Sequence, residues 1–153
     1  MQKIHSMLWF DHQAEEAANF YVSIFKNSKI TAMAKTTEAG PGPAGTVLTV
    51  GFQLEGVDFT ALNGGPLFKF TEAVSLVIDC GGQDEVDYYW DKLLQGGEPS
   101  ACGWLKDKYG LSWQVTPRIL PELLMGKDKA RAARVMQAMM KMVKLDVKTL
   151  EEA

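Results

Sequence analysis

Cysteine is scarce in this chain: Cys80 and Cys102 are the only two in 153 residues. That excludes a disulfide scaffold, and two unstapled thiols in a chain of good core size fit a reducing cytoplasm. Long apolar runs are missing as well. None reaches the ~18 residues that a membrane-spanning helix needs, and Met1-Gln2-Lys3-Ile4-His5-Ser6 lacks the apolar region of a signal peptide. An excess of positive charge is absent, since 16 Lys and Arg against 19 Asp and Glu leave a net −3. Nucleic acid and anionic membrane surfaces both call for clustered Lys and Arg, so neither partner is expected. No P-loop, CxxC pair, HExxH or Ser-His-Asp arrangement occurs. These absences point to a soluble, cytoplasmic protein.

What the chain does have is one motif written twice. Ile4 to Asp11 reads as a strand ending in Asp, followed by Ala14-Glu15-Glu16-Ala17-Ala18-Asn19-Phe20-Tyr21, a helix with acids in its first turn. The same order returns at Leu76-Val77-Ile78-Asp79 and Gln83-Asp84-Glu85-Val86-Asp87-Tyr88-Tyr89-Trp90. Asp79 stands 68 positions after Asp11, and that spacing also sets Phe20 on Tyr88 and Tyr21 on Tyr89.

Period-two patterning predicts a strand over 3–10, with His5, Met7 and Trp9 on one face and Ile4, Ser6, Leu8 and Phe10 on the other. A weaker strand is predicted over 30–35, then a Gly/Pro loop over 38–45, then a hairpin of 46–54 and 57–63 about Glu55-Gly56. The second half repeats this with a strand at 74–79, a helix at 83–95 stopped by Gly96-Gly97, and strands near 98–101, 103–107 and 111–116. Setting Gly110 on Gly56, 54 positions earlier, pairs the last strands and leaves 14 extra residues in the first half. A short helix at 120–126 follows, and then one at 129–145 capped by Asp128, with Val135, Met136, Met139, Met140 and Val143 as its apolar stripe. The fold class is therefore α+β: two βαβββ modules, about 3–63 and 73–116, in one domain of 1–153 with a helical extension at about 119–150.

Single residues allow sharper and plainer readings. His5 is either a ligand or general base, or a histidine hydrogen-bonded inside the sheet. His12 faces solvent. Cys102 reads as a packed thiol unless Lys106 lowers its pKa. Trp9, Trp104 and Trp113 are pocket walls or core. Gln114 and Trp113, as strand neighbours, point to opposite faces. Asp107, between Lys106 and Lys108, reads as a solvated turn.

His5-Ser6-Met7-Leu8, Asp11 and Phe20-Tyr21 resemble the opening of glyoxalase I. Leu8 to Asp11, Ala14 to Tyr21, Cys102 to Asp107, Gly110 to Val115 and the Met-rich tail are similar to the PhnB-like branch, labelled a 3-demethylubiquinone-9 3-methyltransferase domain. That branch lies in the glyoxalase/bleomycin-resistance/dioxygenase, or vicinal oxygen chelate, superfamily. The resemblance implies curved sheets around a cleft and a homodimer. It also implies a metal-ligand set at His5, Thr60, Ala73 and Gln114, of which only His5 is a good ligand. The expectation is thus no cofactor and no complete divalent-metal site. A small-molecule ligand is expected in a cleft lined by His5, Met7, Trp9, Phe52, Thr60 and Gln114. The alternative is an enzyme, either metal-dependent or a methyltransferase as the label says, although Asp11-His12-Gln13 lacks the Gly-rich turn most S-adenosylmethionine enzymes use.

Overall fold

The computed structural model describes residues 2–153. The chain divides into two compact units, the first ending at Phe70 and the second spanning Thr71–Ala153. In the first, β1 (Ser6–Phe10), α1 (Ala14–Ile24), β2 (Lys29–Lys35), β3 (Val47–Leu54) and β4 (Val57–Asn63) follow in sequence. The sheet order is β1-β4-β3-β2, with β1 parallel to β4 and the other pairs antiparallel. Alternation decides which face is covered. Leu8, Phe10, Val50, Phe52, Leu54, Phe59 and Ala61 are buried, as are Ala14, Ala17, Ala18, Tyr21 and Ile24 of α1. Phe52 stacks between Tyr21, 6.2 Å away, and Phe59, 5.4 Å away. Each buried Leu, Val, Ile or Phe side chain stabilises the unit by about 1.5–3 kcal/mol through burial. Glu55 and Gly56 both have positive φ, 49° and 79°, the twist that a two-residue hairpin requires.

The second unit repeats the plan with β5 (Ser75–Cys80), α2 (Gln83–Leu94), β6 (Glu98–Pro99), β7 (Trp104–Lys106) and β8 (Ser112–Pro117), in sheet order β5-β8-β7-β6. Val86, Tyr89, Trp90 and Leu93 of α2 are buried, as are Leu105, Trp113 and Val115 of the sheet. The helix ends where Gly96 takes φ +74°.

Three helices follow: α3 (Ile119–Leu124), α4 (Lys129–Met140) and α5 (Val147–Glu152). Leu120, Val135, Leu145 and Leu150 form their own small core. Asp128 caps α4 by accepting from the Arg131 amide at 3.0 Å, as its position predicts. The helix expected to run to Leu145 stops at Met140 instead. The backbone beyond it turns away to bond elsewhere: Met142 and Val143 carbonyls accept from the Cys102 and Gly103 amides at 2.9 and 2.7 Å. The expected apolar stripe is therefore mostly outside, with Met136, Met140 and Val143 exposed and Val135 buried. The Gln83 side chain grips the same segment, donating to the Leu145 carbonyl and accepting from the Val147 amide. Lys144 pairs with Asp87 at 2.8 Å; that hydrogen bond holds the Asp87 carboxyl below its usual range.

Candidate functional site

In each unit one sheet face lies against the helix and the other carries the polar side chains. On the first unit's polar face, His5, just before β1, places Nε2 3.0 Å from Thr60 Oγ1. Met7 stands opposite Thr60 in register and is 55% exposed. Gln53 donates to Asp58 at 2.7 Å on the neighbouring strands. Trp9 shares this face, but its indole N–H donates to the Gly65 carbonyl and its ring meets Phe68 edge-on at 4.9 Å. A Cβ on Gly64 would lie 2.3 Å from that ring, so glycine is what lets the chain close over Trp9. Phe52 does not belong to this face. It is fully buried under α1, which removes it from the expected ligand-lining set.

The second unit's register aligns Ser75, Ser112, Lys106 and Glu98 in one row across all four strands. The next row holds Val77, Gln114 and Trp104. Gln114 Nε2 donates to Ser75 Oγ at 3.0 Å, so it faces away from α2, and Trp113 faces the other way, 2% exposed. Lys106 forms an ion pair with Glu72, whose hydrogen bond lowers the Glu72 carboxyl and raises the lysine.

These contacts correct the repeat's spacing. The Gly64 amide bonds the Phe10 carbonyl, and the Arg118 amide bonds that of Cys80. Arg118 is 54 positions after Gly64, but Cys80 is 70 after Phe10, where the motif alone implies 68. The buried helix pairs Tyr21 and Trp90, and Ile24 and Leu93, give 69. The turn Asp11-His12-Gln13 is simply one residue longer than Gly81-Gly82. The equivalent of His5 is therefore Ser75, not Ala73, which sits in the turn before β5. The diagonal His5–Thr60 contact thus recurs as Ser75–Gln114.

The donor chemistry does not suit a catalytic divalent ion. At the expected ligand positions one face offers an imidazole and a hydroxyl, the other a hydroxyl and an amide. Such an ion takes three or more His, Asp, Glu or Cys ligands. Among the described residues no group of three that could hold a metal occurs.

Asp107 differs in kind from what the sequence suggests. Asp107 is not solvated: it is 3% exposed, and its Oδ1 accepts from the Tyr109 and Leu111 amides while Oδ2 accepts from the Trp113 indole at 2.9 Å. Cys80 is a buried thiol, pushed up to about 12 by burial and then by Glu85 and Asp79, so it stays protonated at neutral pH. Lys106, the cation that could have activated Cys102, is committed to Glu72.

Among the described residues, two of the cavities each lie within a single unit. One, of about 480 Å³, is bounded by Asp11, His12 and Glu15, the loop at Pro41–Pro43, Asn63 and Gly64. The Gly/Pro loop reads in the sequence merely as inserted length. The other, of about 210 Å³, lies over the polar row of the second unit.

A model of the 3-demethylubiquinone-9 3-methyltransferase family matches residues 2–116. A Bacillus cereus structure, provisionally assigned as a 3-demethylubiquinone-9 3-methyltransferase, PhnB protein, is 40% identical, covering 76% of this chain and 99% of its own, with TM-score 0.69. PA1353 from Pseudomonas aeruginosa is 17% identical over 76% of this chain and 98% of its own, with TM-score 0.63. The fosfomycin resistance protein FosX from Listeria monocytogenes, complexed with Mn(II) and sulfate, is 15% identical over 74% of this chain and 88% of its own, with TM-score 0.50. The last two share the fold. No functionally curated protein matches the chain. The family match ends within β8, so α3–α5 lie beyond it.

Proposed function

The chain belongs to the 3-demethylubiquinone-9 3-methyltransferase (PhnB-like) family of the vicinal oxygen chelate superfamily, and from that premise we propose that it binds a small polar molecule on the helix-free faces of its sheets without a complete metal site. One observation carries this reading. The side chains at the expected ligand positions bond to each other, His5 to Thr60 and Ser75 to Gln114. Such pairs offer a ligand hydroxyls, an amide and an imidazole, with Met7, Trp9 and Trp104 as apolar neighbours. The test is the melting temperature against a panel of polar metabolites, with EDTA or with Mn(II). A ligand that stabilises the protein does so equally in EDTA, and Thr60→Val or Gln114→Leu reduces its shift. Stabilisation that requires the metal contradicts the reading.

Met7 and Val77, both more than half exposed on these faces, support a homodimer in which a second copy covers them. Sedimentation of the same samples reads this directly, a monomer excluding it. No helix among the described residues is long and apolar enough to cross a membrane, and two unpaired thiols support a cytoplasmic setting.

The family's name favours a second reading, methyl transfer. The Gly81-Gly82 turn between β5 and α2 is the strand-to-helix turn where a cofactor would sit. Glu85 already fills it, with Oε2 accepting from the Gly81 amide at 2.9 Å. Calorimetric titration with S-adenosylmethionine decides: no heat removes this reading.

A further inference from the structure

Among the described residues, Ser112 is a buried polar side chain whose hydroxyl is not used in the free protein. It is 1% exposed and its Oγ has no hydrogen-bond partner. Buried hydroxyls are normally bonded, and one left unbonded lacks the partner that would offset its lost hydration. It lines the 210 Å³ cavity together with Glu72, Glu98, Ser100, Trp104 and Lys106. The row Ser112–Lys106–Glu98 thus sets a hydroxyl, an ammonium and a carboxylate side by side on three adjacent strands. Directly opposed side chains lie about 5 Å apart at Cβ, so charges of both signs are offered within the length of a short molecule.

We propose that this cavity takes a small zwitterion, a molecule with an amine at one end and a carboxylate or similar acid at the other; this names the ligand class for the binding reading above and rests on it. The acid group goes to Lys106 and to the Ser112 hydroxyl, which donates. The ammonium goes to Glu98, against the ring of Trp104, an aromatic face that attracts cations. Glu72 occupies Lys106 in the free protein from the turn before β5. Its side chain is 57% exposed, and solvent screens an exposed ion pair of this kind, so a ligand carboxylate displaces it readily. A simple anion would leave Glu98 beside it unanswered, and a simple cation would meet Lys106. At about 210 Å³ the cavity has room for a short molecule.

The experiment is backbone and indole NMR of the full chain titrated with 4-aminobutyrate, butyrate and butylamine. The expected result is saturable shifts at Lys106, Ser112 and the Trp104 indole with 4-aminobutyrate, at concentrations about tenfold below those for either half-molecule, the loss expected when one charge-assisted contact is absent. Ser112→Ala weakens that binding yet leaves the melting temperature unchanged or higher, because the free hydroxyl has no partner to lose. Lys106→Met weakens it by about tenfold or more. Equal response to butyrate and 4-aminobutyrate overturns the assignment, as does unaltered binding in Ser112→Ala. Shifts confined to the His5–Thr60 face overturn it while sparing the binding reading. No saturable shift anywhere overturns it too, and the metabolite panel then decides the broader reading by itself.

Discussion

Replacing Asp107 with alanine lowers the folding stability by about 3–5 kcal/mol, because it removes the acceptor for three donors at once while leaving them buried. The Trp113 indole N–H and the Leu111 amide then lose the carboxylate that accepts from both. Asp107→Asn is a sharper probe. One oxygen still serves the Tyr109 and Leu111 amides, but the amide nitrogen that replaces Oδ2 is a donor facing the donor indole. An intermediate loss of about 2 kcal/mol follows. Urea denaturation followed by tryptophan fluorescence measures both. A loss below about 1 kcal/mol for the alanine variant means that the buried carboxylate does not organise the β7–β8 turn.

Gly97→Ala is expected to cost about 3 kcal/mol, through overpacking alone. A Cβ there would stand 2.1 Å from the Lys106 carbonyl oxygen and 3.0 Å from Asp107 Cα, both backbone atoms that cannot swing aside. The relief open to the chain is to lift β6 from β7, which breaks the Glu98–Lys106 and Pro99–Leu105 pairings. The loss thus extends beyond stability, since Glu98 leaves the polar row. Gly82→Ala is the control: its Cβ meets nothing within 4 Å and its backbone is extended, so denaturation leaves it near the parent protein. If Gly97→Ala also matches the parent, the close approach of β6 to β7 is not needed.

Strand and helix positions in both modules are legible because period-two and period-3.6 patterns are set by the same burial that forms them. The spacing of the repeat is less so. Asp11 and Asp79 look alike, but the following turns differ by one residue, and only backbone bonds such as Arg118 to Cys80 reveal the shift that puts Ser75 where Ala73 is expected. Phe52 carried a readable signal: Val50, Phe52 and Leu54 alternate with Thr49, Gly51 and Gln53, which assigns Phe52 to the covered face. Asp107 carried one as well. Trp113, on the helix-facing side of β8, needs a buried acceptor for its N–H, and an acid six residues upstream is within reach. The end of α4 carried none, because the chain leaves the helix at Met140 for bonds to residues some 40 positions earlier, which no local pattern records. The start of α5 has a local mark in Asp146, whose carboxylate accepts from the Thr149 amide and hydroxyl at 2.7 Å.

In the proposed function the superfamily's ligand positions serve as a hydrogen-bonded binding face and not as a metal site. Metal analysis by plasma mass spectrometry of untagged protein, prepared without chelator, tests it most directly, in parallel with His5→Ala. Mn, Fe, Ni and Zn are expected far below one per chain in both proteins, with His5→Ala losing only the contact to Thr60. Near-stoichiometric metal in the parent protein that vanishes in His5→Ala would contradict it.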